Sequence, residues 1–163
     1  MGKTSTREQL LTACAQDLHA GEQLLVERLP GIVRHVSDPA LRGLLEGQIG
    51  QSASQAERLR QTGEDVDGPP NLWMAGIMDD AERDTRSIEA GPLLDVALIG
   101  AVRKAKASEI VSYETAVATA EALGSKSARI FDGILQEERM ADAALRARLH
   151  DLSIGGSERT GTN

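Results

Sequence analysis

The stretch FDGILQEERMADAALRARLHDL, residues 131–152, decides the fold, because its apolar residues recur with the period of a helix that buries one face. Two ladders of residues spaced seven apart follow this face: Phe131, Glu138, Leu145, Leu152 and Leu135, Asp142, Leu149. Each ladder is apolar except for one carboxylate, so we expect Glu138 and Asp142 to face the core. A lone buried carboxylate costs several kcal/mol unless a cation, a metal or a hydrogen-bond donor meets it. The rest of the chain must supply that partner.

Length and composition favour a single all-α domain. The chain has 163 residues, with one Trp, one Tyr and one Phe, while Ala and Leu are abundant. A helical bundle packed with aliphatic side chains fits this composition better than a β-sandwich rich in aromatic and β-branched residues. A chain of this length buries about 70% of its unfolded surface, so it needs no disulfide to be stable.

Charge and apolar patterning exclude several classes of protein. The net charge is −7 and Lys and Arg form no run, so the basic patch expected of a nucleic-acid-binding protein is missing. No N-terminal apolar segment resembles a signal peptide, and no apolar run approaches the ~20 residues that span a bilayer. Cys14 is the only cysteine and cannot form an intrachain disulfide. We therefore expect a cytoplasmic protein that binds neither nucleic acid nor membrane.

Four long helices are predicted in chain order. Ser5 and Glu8 have the spacing of a capping box, and helix one continues from there to about residue 36. Helix two covers about residues 38–61, helix three about 93–123 and helix four about 125–153. Gly124 follows helix three, where a left-handed residue commonly ends a helix. Residues 5–153 are predicted to form the domain, and residues 154–163 a disordered tail.

The connection between helices two and three carries a short amphipathic helix at residues 71–80. Its apolar face consists of Trp73, Met74, Ile77 and Met78. This helix either closes one side of the core or contacts a second subunit, and the two roles are compatible. Four long helices with a crossover long enough to join two parallel neighbours indicate a ferritin-like four-helix bundle.

Carboxylates on otherwise apolar ladders form the candidate metal site, which comprises Glu22, Glu109, Glu138 and Asp142. Glu138 and Asp142 are four residues apart and therefore share a helical face. Carboxylate oxygens in a bundle core are the ligands of di-iron and di-manganese sites. No phosphate loop, G-x-S-x-G motif or cysteine pair occurs, so hydrolase and nucleotide sites are excluded and no catalytic or other cofactor-binding residue is assigned.

Three interpretations of these acids remain open. They can hold a metal ion in a mononuclear or degraded site. They can instead belong to a metal-free network satisfied by Gln48, Gln51, Lys106, Tyr113 or Arg58. Alternatively, the ladders are misplaced by one residue and some of the acids are half-solvated.

The three histidines receive different predictions. His19 precedes Glu22 by three residues, the spacing of a helical ligand pair, and is kept as a possible ligand. His35 and His150 are isolated from any acidic ladder and are expected on the surface.

Eight short blocks together resemble the YciE/YciF-type ferritin-like proteins, and the resemblance extends over about residues 5–152. The blocks are DLHAGE at 17–22, LP at 29–30, QAER at 55–58, MAGI at 74–77, DVALIGA at 95–101, EIVSY at 109–113, AEALG at 120–124 and EERMAD at 137–142. Each block alone is weak, but their shared order and spacing is specific. The resemblance implies a ferritin-like four-helix fold, usually dimeric and linked to bacterial stress responses, without a firmly assigned activity.

The chain departs from that family at helices two and three. Gln48 and Gln51 stand where the family commonly carries His and Glu, and Lys106 and Ala107 stand where it carries Glu and His before the Glu of helix three. Gln is a poor metal ligand, and Lys106 places a cation three residues from Glu109.

Two functions follow as hypotheses. The first is a stress-associated, dimeric, non-enzymatic module whose di-metal site is degraded or absent. The alternative is a protein that binds iron or manganese through the four acids and has redox activity toward oxygen or peroxide.

Overall fold

The computed structural model describes the backbone of residues 2–157 and the side chains of residues 2–154. Its five helices are α1 (Arg7–Val33), α2 (Pro39–Arg60), α3 (Leu72–Ser87), α4 (Pro92–Ala122) and α5 (Ala128–Ser157). No β-strand occurs between residues 2 and 157. The predicted all-α class is confirmed, and α3 is the predicted crossover helix.

Helix α1 begins one residue later than predicted. Thr6, rather than Ser5, is the N-cap, and its hydroxyl accepts a hydrogen bond from the backbone N–H of Gln9 at 3.2 Å. The Gln9 side chain accepts in return from the Thr6 backbone at 3.3 Å. Gln serves as well as Glu at the third helical position, so T-x-x-Q competes with the S-x-x-E pattern one residue earlier. The helix also ends earlier than predicted, at Val33.

The other helix ends follow from local chemistry. Asp38 caps α2 by accepting from the Leu41 N–H at 2.7 Å, and Asn71 caps α3 by accepting from the Met74 N–H at 2.8 Å. Gly124 has a φ of 63°, which confirms the predicted left-handed residue after α4. Helix α5 runs to residue 157 rather than 153. Residues 158–163 of the predicted disordered tail lie outside the described residues.

The helices pack as two antiparallel pairs, α1 with α2 and α4 with α5. The long crossover lets α4 run parallel to α2, as predicted. The two helices are not neighbours, however, because α2 packs on α1 and α5 while α4 packs on α1, α3 and α5. Helix α3 lies along the groove between α1 and α4, where Arg28 pairs with Asp79 at 2.7 Å and Glu82 at 2.8 Å. Met74 and Met78 on α3 are fully buried, so this helix covers one side of the core. The predicted contact of α3 with a second subunit remains a prediction.

The apolar core consists of two clusters, one at each end of the bundle. Near the α1–α2 turn, the cluster contains Leu25, Leu29, Leu41, Leu45, Leu94, Leu98, Val102 and Leu145, among others. Near the α4–α5 turn, it contains Leu11, Leu18, Leu59, Tyr113, Ala116, Phe131 and Ile134, among others. On every long helix a gap separates the residues of one cluster from those of the other, at the same height in the bundle. Buried polar residues occupy this height and form a layer between the two clusters.

Candidate functional site

The buried polar layer, here called the central layer, receives side chains from all four long helices. Helix α1 contributes Glu22, α2 contributes Gln55, α4 contributes Lys106 and Glu109, and α5 contributes Glu138. All five residues are at most 1% exposed to solvent. Three of the four predicted metal-site acids, Glu22, Glu109 and Glu138, therefore meet in the core.

The ammonium group of Lys106 lies between two of these acids. Its Nζ is 2.7 Å from Oε2 of Glu109 and 2.7 Å from Oε2 of Glu138. The first contact joins residues three apart on α4, as the sequence suggested. The second links α4 to α5, a contact that depends on how the two helices pack.

Neutral hydrogen-bond donors contact two of the three acids. The Tyr113 hydroxyl donates to Oε1 of Glu22 at 2.8 Å. The Gln55 amide nitrogen donates to Oε1 of Glu138 at 2.8 Å. The predicted network is therefore present, with Lys106 and Tyr113 as members and Gln55 as a member that was not singled out.

Burial shifts the charge state of this layer. The layer has three carboxyl groups and one ammonium group, so full ionisation would leave two negative charges in excess inside the core. Burial raises the pKa of Glu22 from 4.5 to about 7, although Lys106 and the Tyr113 hydroxyl oppose the rise. Burial and the neighbouring Glu22 raise the pKa of Glu109 well above its ordinary value, against the attraction of Lys106. Glu22 and Glu109 therefore keep their protons to a higher pH than exposed carboxyl groups would.

Lys106 behaves in the opposite way. Burial alone lowers the pKa of its ammonium group, but attraction to Glu109, Glu138 and Glu22 outweighs burial and raises that pKa above the ordinary value of 10.5. The side chain remains a cation at any pH at which the protein is handled.

The fourth predicted acid, Asp142, does not join the central layer. Its side chain is 24% exposed and forms a bidentate ion pair with Arg103, with distances of 2.7 and 3.1 Å. Asp142 lies four residues after Glu138, which at 3.6 residues per turn is about 40° around the helix, and this offset places it at the edge of the buried face. The expectation that Asp142 faces the core is therefore wrong, as the third interpretation of the acids had allowed.

Beside the central layer, a polar edge between α2 and α5 involves Glu137, a residue that the sequence argument did not select. Glu137 accepts hydrogen bonds from Arg58, from Gln51 at 3.4 Å and from Gln55 at 3.0 Å. Burial raises the pKa of Glu137, but the donors led by Arg58 outweigh it and lower the pKa. Arg58 and Gln51 were expected to donate to the acids on the ladders, but they donate to Glu137, the residue next to Glu138. The sequence indicated a role for Glu137 only through its position directly before Glu138.

The histidines do not contribute to the central layer by hydrogen bonding. His19 is buried, its Nε2 has no hydrogen-bond partner among the described residues, and burial lowers its pKa. His35 and His150 are exposed, as predicted.

The donor set does not fit a di-metal centre. An ammonium group, which carries its own hydrogens and cannot coordinate a metal, contacts two of the three buried carboxylates at 2.7 Å. Helix α2 presents the neutral amides of Gln48 and Gln55 instead of charged ligands. Within the described part of the chain, no group of three or more His, Cys, Asp or Glu side chains is arranged to hold a metal ion.

Comparisons with known proteins agree with this architecture. A family model described as "Domain of unknown function (DUF892)" matches residues 6–153. Protein YciF of Escherichia coli (strain K12) is 28% identical over 167 aligned residues, which cover 97% of this chain and 96% of YciF. The crystal structure described as that of the E. coli stress protein YciF matches with a TM-score of 0.88 and 26% identity, covering 92% of this chain and 98% of that one.

Two further solved structures match. YcfI of Rhodopseudomonas palustris gives a TM-score of 0.82 at 26% identity, covering 87% of this chain and 94% of its own. Protein XCC3681 of Xanthomonas campestris gives a TM-score of 0.76 at 16% identity over 96% of this chain and 100% of that one, and shares the fold. The predicted YciF-type resemblance and the ferritin-like bundle are confirmed. Over residues 2–157, no helix is long and apolar enough to cross a membrane.

Proposed function

The chain belongs to the DUF892 family, and from this premise we propose that it is a YciF-type, stress-associated, non-enzymatic module that works as a dimer in the cytoplasm. The stress association is carried over from YciF, whose structure is described as that of a stress protein. YcfI of R. palustris is provisionally described as a structural protein, which agrees with a non-enzymatic role.

The observation that carries the non-enzymatic part is the sealing of the central layer. Glu22, Lys106, Glu109 and Glu138 are all at most 1% exposed. Four surface depressions among the described residues are lined by other residues. None of these four depressions contacts the charged groups, so a substrate in one of them would reach those groups only if the helices separated.

Support for the dimer comes from an uncovered part of the groove between α1 and α4. Helix α3 covers this groove only up to its own N-terminus, near Trp73. Beyond that point Leu10 is 43% exposed and Val111 62% exposed. Both residues line a depression of about 510 Å³, and Val111 also borders the depression beside Trp73. A second copy of the chain that covered this apolar strip would remove it from water.

Activity assays test the non-enzymatic proposal directly. Purified protein is mixed with Fe²⁺ and oxygen, or with Mn²⁺ and peroxide, and the rate of metal oxidation is compared with the rate in buffer. We expect equal rates, because the buried layer admits no reactant. A saturable, protein-dependent rate that disappears in Glu109→Gln would support the alternative function, an iron- or manganese-dependent redox protein.

Sedimentation tests the dimer. We expect wild-type protein at tens of micromolar to sediment as a dimer, and Val111→Glu to shift it toward monomer by placing a charge on the apolar strip. Val96→Glu, on the same helix but in its first half, is the matched control. A wild-type monomer at that concentration would refute the dimer and leave the argument on activity unaffected.

A further inference from the structure

We propose that the ammonium group of Lys106 is the built-in cation of this bundle, taking the place of a metal ion and making the fold independent of metal. This inference rests on the proposed function, because a protein that needed a resident redox metal could not use a lysine in its place.

The position of Lys106 is the first argument. The side chain reaches the level at which α1, α4 and α5 all present a carboxyl group, and its Nζ contacts Glu109 and Glu138 at 2.7 Å each. Lys106 and Glu138 are 0% exposed, and Glu109 is 1% exposed. A metal ion that bridges helices in a bundle core uses the same kind of contact, with oxygens from facing helices around one positive charge.

Charge balance is the second argument. Any of the three buried carboxyl groups that is ionised requires a positive charge nearby, and no other cation lies in the central layer among the described residues. Arg58 and Arg103, the nearest arginines along their helices, are engaged by Glu137 and Asp142 at the bundle edge. Attraction to Glu109, Glu138 and Glu22 also holds the pKa of Lys106 above its ordinary value, so the compensating charge is permanent.

The residues around the ammonium group are the third argument. Gln55 is fully buried, donates to Glu138 through its nitrogen, and its amide oxygen has no hydrogen-bond partner among the described residues. If the lysine side chain were cut back, this oxygen and the carboxylates of Glu22, Glu109 and Glu138 would remain. Such a set of oxygens suits a single hard divalent cation such as Mn²⁺.

The proposal is tested by removing the ammonium group of Lys106 and supplying Mn²⁺ from solution in its place. In wild-type protein we expect the same melting temperature in EDTA and in millimolar Mn²⁺, because no site is open. Lys106→Ala, which empties the position of the ammonium group, is refolded in the presence of Mn²⁺ so that the ion need not cross the closed bundle, and we expect one Mn²⁺ per chain. At a Mn²⁺ concentration one hundred times Kd, binding should raise the melting temperature of Lys106→Ala by about 5–10 °C relative to EDTA.

Two control variants separate the effect of losing the positive charge from the effect of opening space in the core. Lys106→Met removes the positive charge but fills the same volume, so it should lose stability and gain no Mn²⁺ binding. Lys104→Ala changes an exposed lysine of the same helix, 66% exposed, and should match wild type in both buffers.

The outcomes are distinct. The inference is overturned if Lys106→Ala folds but binds no Mn²⁺. It is also overturned if Lys106→Ala fails to fold in a refolding buffer that contains Mn²⁺, because a metal then cannot replace the ammonium group. Nitrogen NMR of lysine-labelled wild-type protein gives a second readout that needs no variant. A neutral amine at Lys106 at neutral pH would also overturn the inference. The redox assays above test the proposed function separately, since they can fail or succeed whatever Lys106→Ala does.

Discussion

Three ion pairs join helices α4 and α5 among the described residues, and two of them differ mainly in their distance from water. Lys106 pairs with Glu138 at 2.7 Å with both side chains 0% exposed, and Arg103 pairs with Asp142 at 2.7 Å with side chains 30% and 24% exposed. The cations are three residues apart on α4 and the acids four apart on α5. The same chemistry thus occurs twice, one helical turn apart, once in the core and once at the bundle edge.

The difference shows that environment, rather than residue type, sets the energetic role of a charge. At the edge, water solvates either partner when the other is absent, so an exposed pair contributes about 0–1 kcal/mol. In the core, loss of one partner leaves a charge without water or counter-ion, which costs about 3–5 kcal/mol. The following predictions test this contrast, beginning with the largest effect.

Lys106→Met should have the largest effect. It leaves Glu109 and Glu138 without their cation, so we expect the free energy of unfolding to fall by about 3–5 kcal/mol in urea denaturation. Lys104→Met, which removes an exposed lysine 3.6 Å from Asp80, should change it by less than about 1 kcal/mol. Equal effects of the two variants would remove the distinction between core and edge.

The raised pKa of Glu22 predicts that the free energy of unfolding depends on pH. Burial raises the pKa of Glu22 from 4.5 to about 7, so between these values the folded chain holds a proton that the unfolded chain releases. The free energy of unfolding should therefore fall as the pH rises, by about 2 kcal/mol from about pH 5.5 to about pH 8 on account of this group.

The control for this prediction is Glu22→Gln, which cannot titrate at that position. His19, whose pKa is lowered by burial, contributes the opposite slope below 6.5 in both proteins. The difference between wild type and variant therefore reports Glu22 together with its effect on the pKa of Glu109. Parallel pH profiles of the two proteins would show that Glu22 does not bind the proton.

Tyr113→Phe should have an intermediate effect. The substitution keeps the ring in the core but removes the hydroxyl that donates to Glu22 at 2.8 Å. A buried carboxyl oxygen then lacks its donor, and we expect the free energy of unfolding to fall by about 1–2 kcal/mol. In Glu22→Gln the same Tyr113→Phe change should cost a different amount, because the two groups interact directly. Additive effects would indicate that the hydroxyl acts through packing alone.

Arg103→Met should have the smallest effect. It breaks the edge pair but leaves Asp142 in contact with water, so the free energy of unfolding should change by less than about 1 kcal/mol, and the change should shrink in high salt. A loss as large as that of Lys106→Met would mean that the edge pair is effectively buried.

The fold was predictable from sequence because it depends on patterns that recur over many residues. The ladder through Phe131 and Leu145 lies in the core as predicted, and the crossover length gave the arrangement of the helices. The helix ends were predicted less well, since T-x-x-Q at Thr6 and S-x-x-E at Ser5 are equally good caps by sequence. Local chemistry alone does not choose between neighbouring caps of similar strength.

The candidate site was predictable in part. Glu22, Glu109 and Glu138 were placed correctly in the core, and the proximity of Lys106 to Glu109 followed from helical spacing. The contact of Lys106 with Glu138 depends on the relative rotation of two helices, which no single-helix pattern contains. Asp142 was misplaced because an offset of about 40° around the helix from Glu138 decides whether a side chain faces the core or its edge.

The metal content of the protein tests the central claim most directly, because Lys106 is held to take the place of a metal ion. Wild-type protein and Lys106→Ala are purified without chelator from cells grown with iron and manganese, and elemental analysis gives the metal per chain. We predict that wild-type protein contains far less than one ion of any transition metal per chain, and that Lys106→Ala approaches one. One or more iron or manganese ions per wild-type chain would contradict the account.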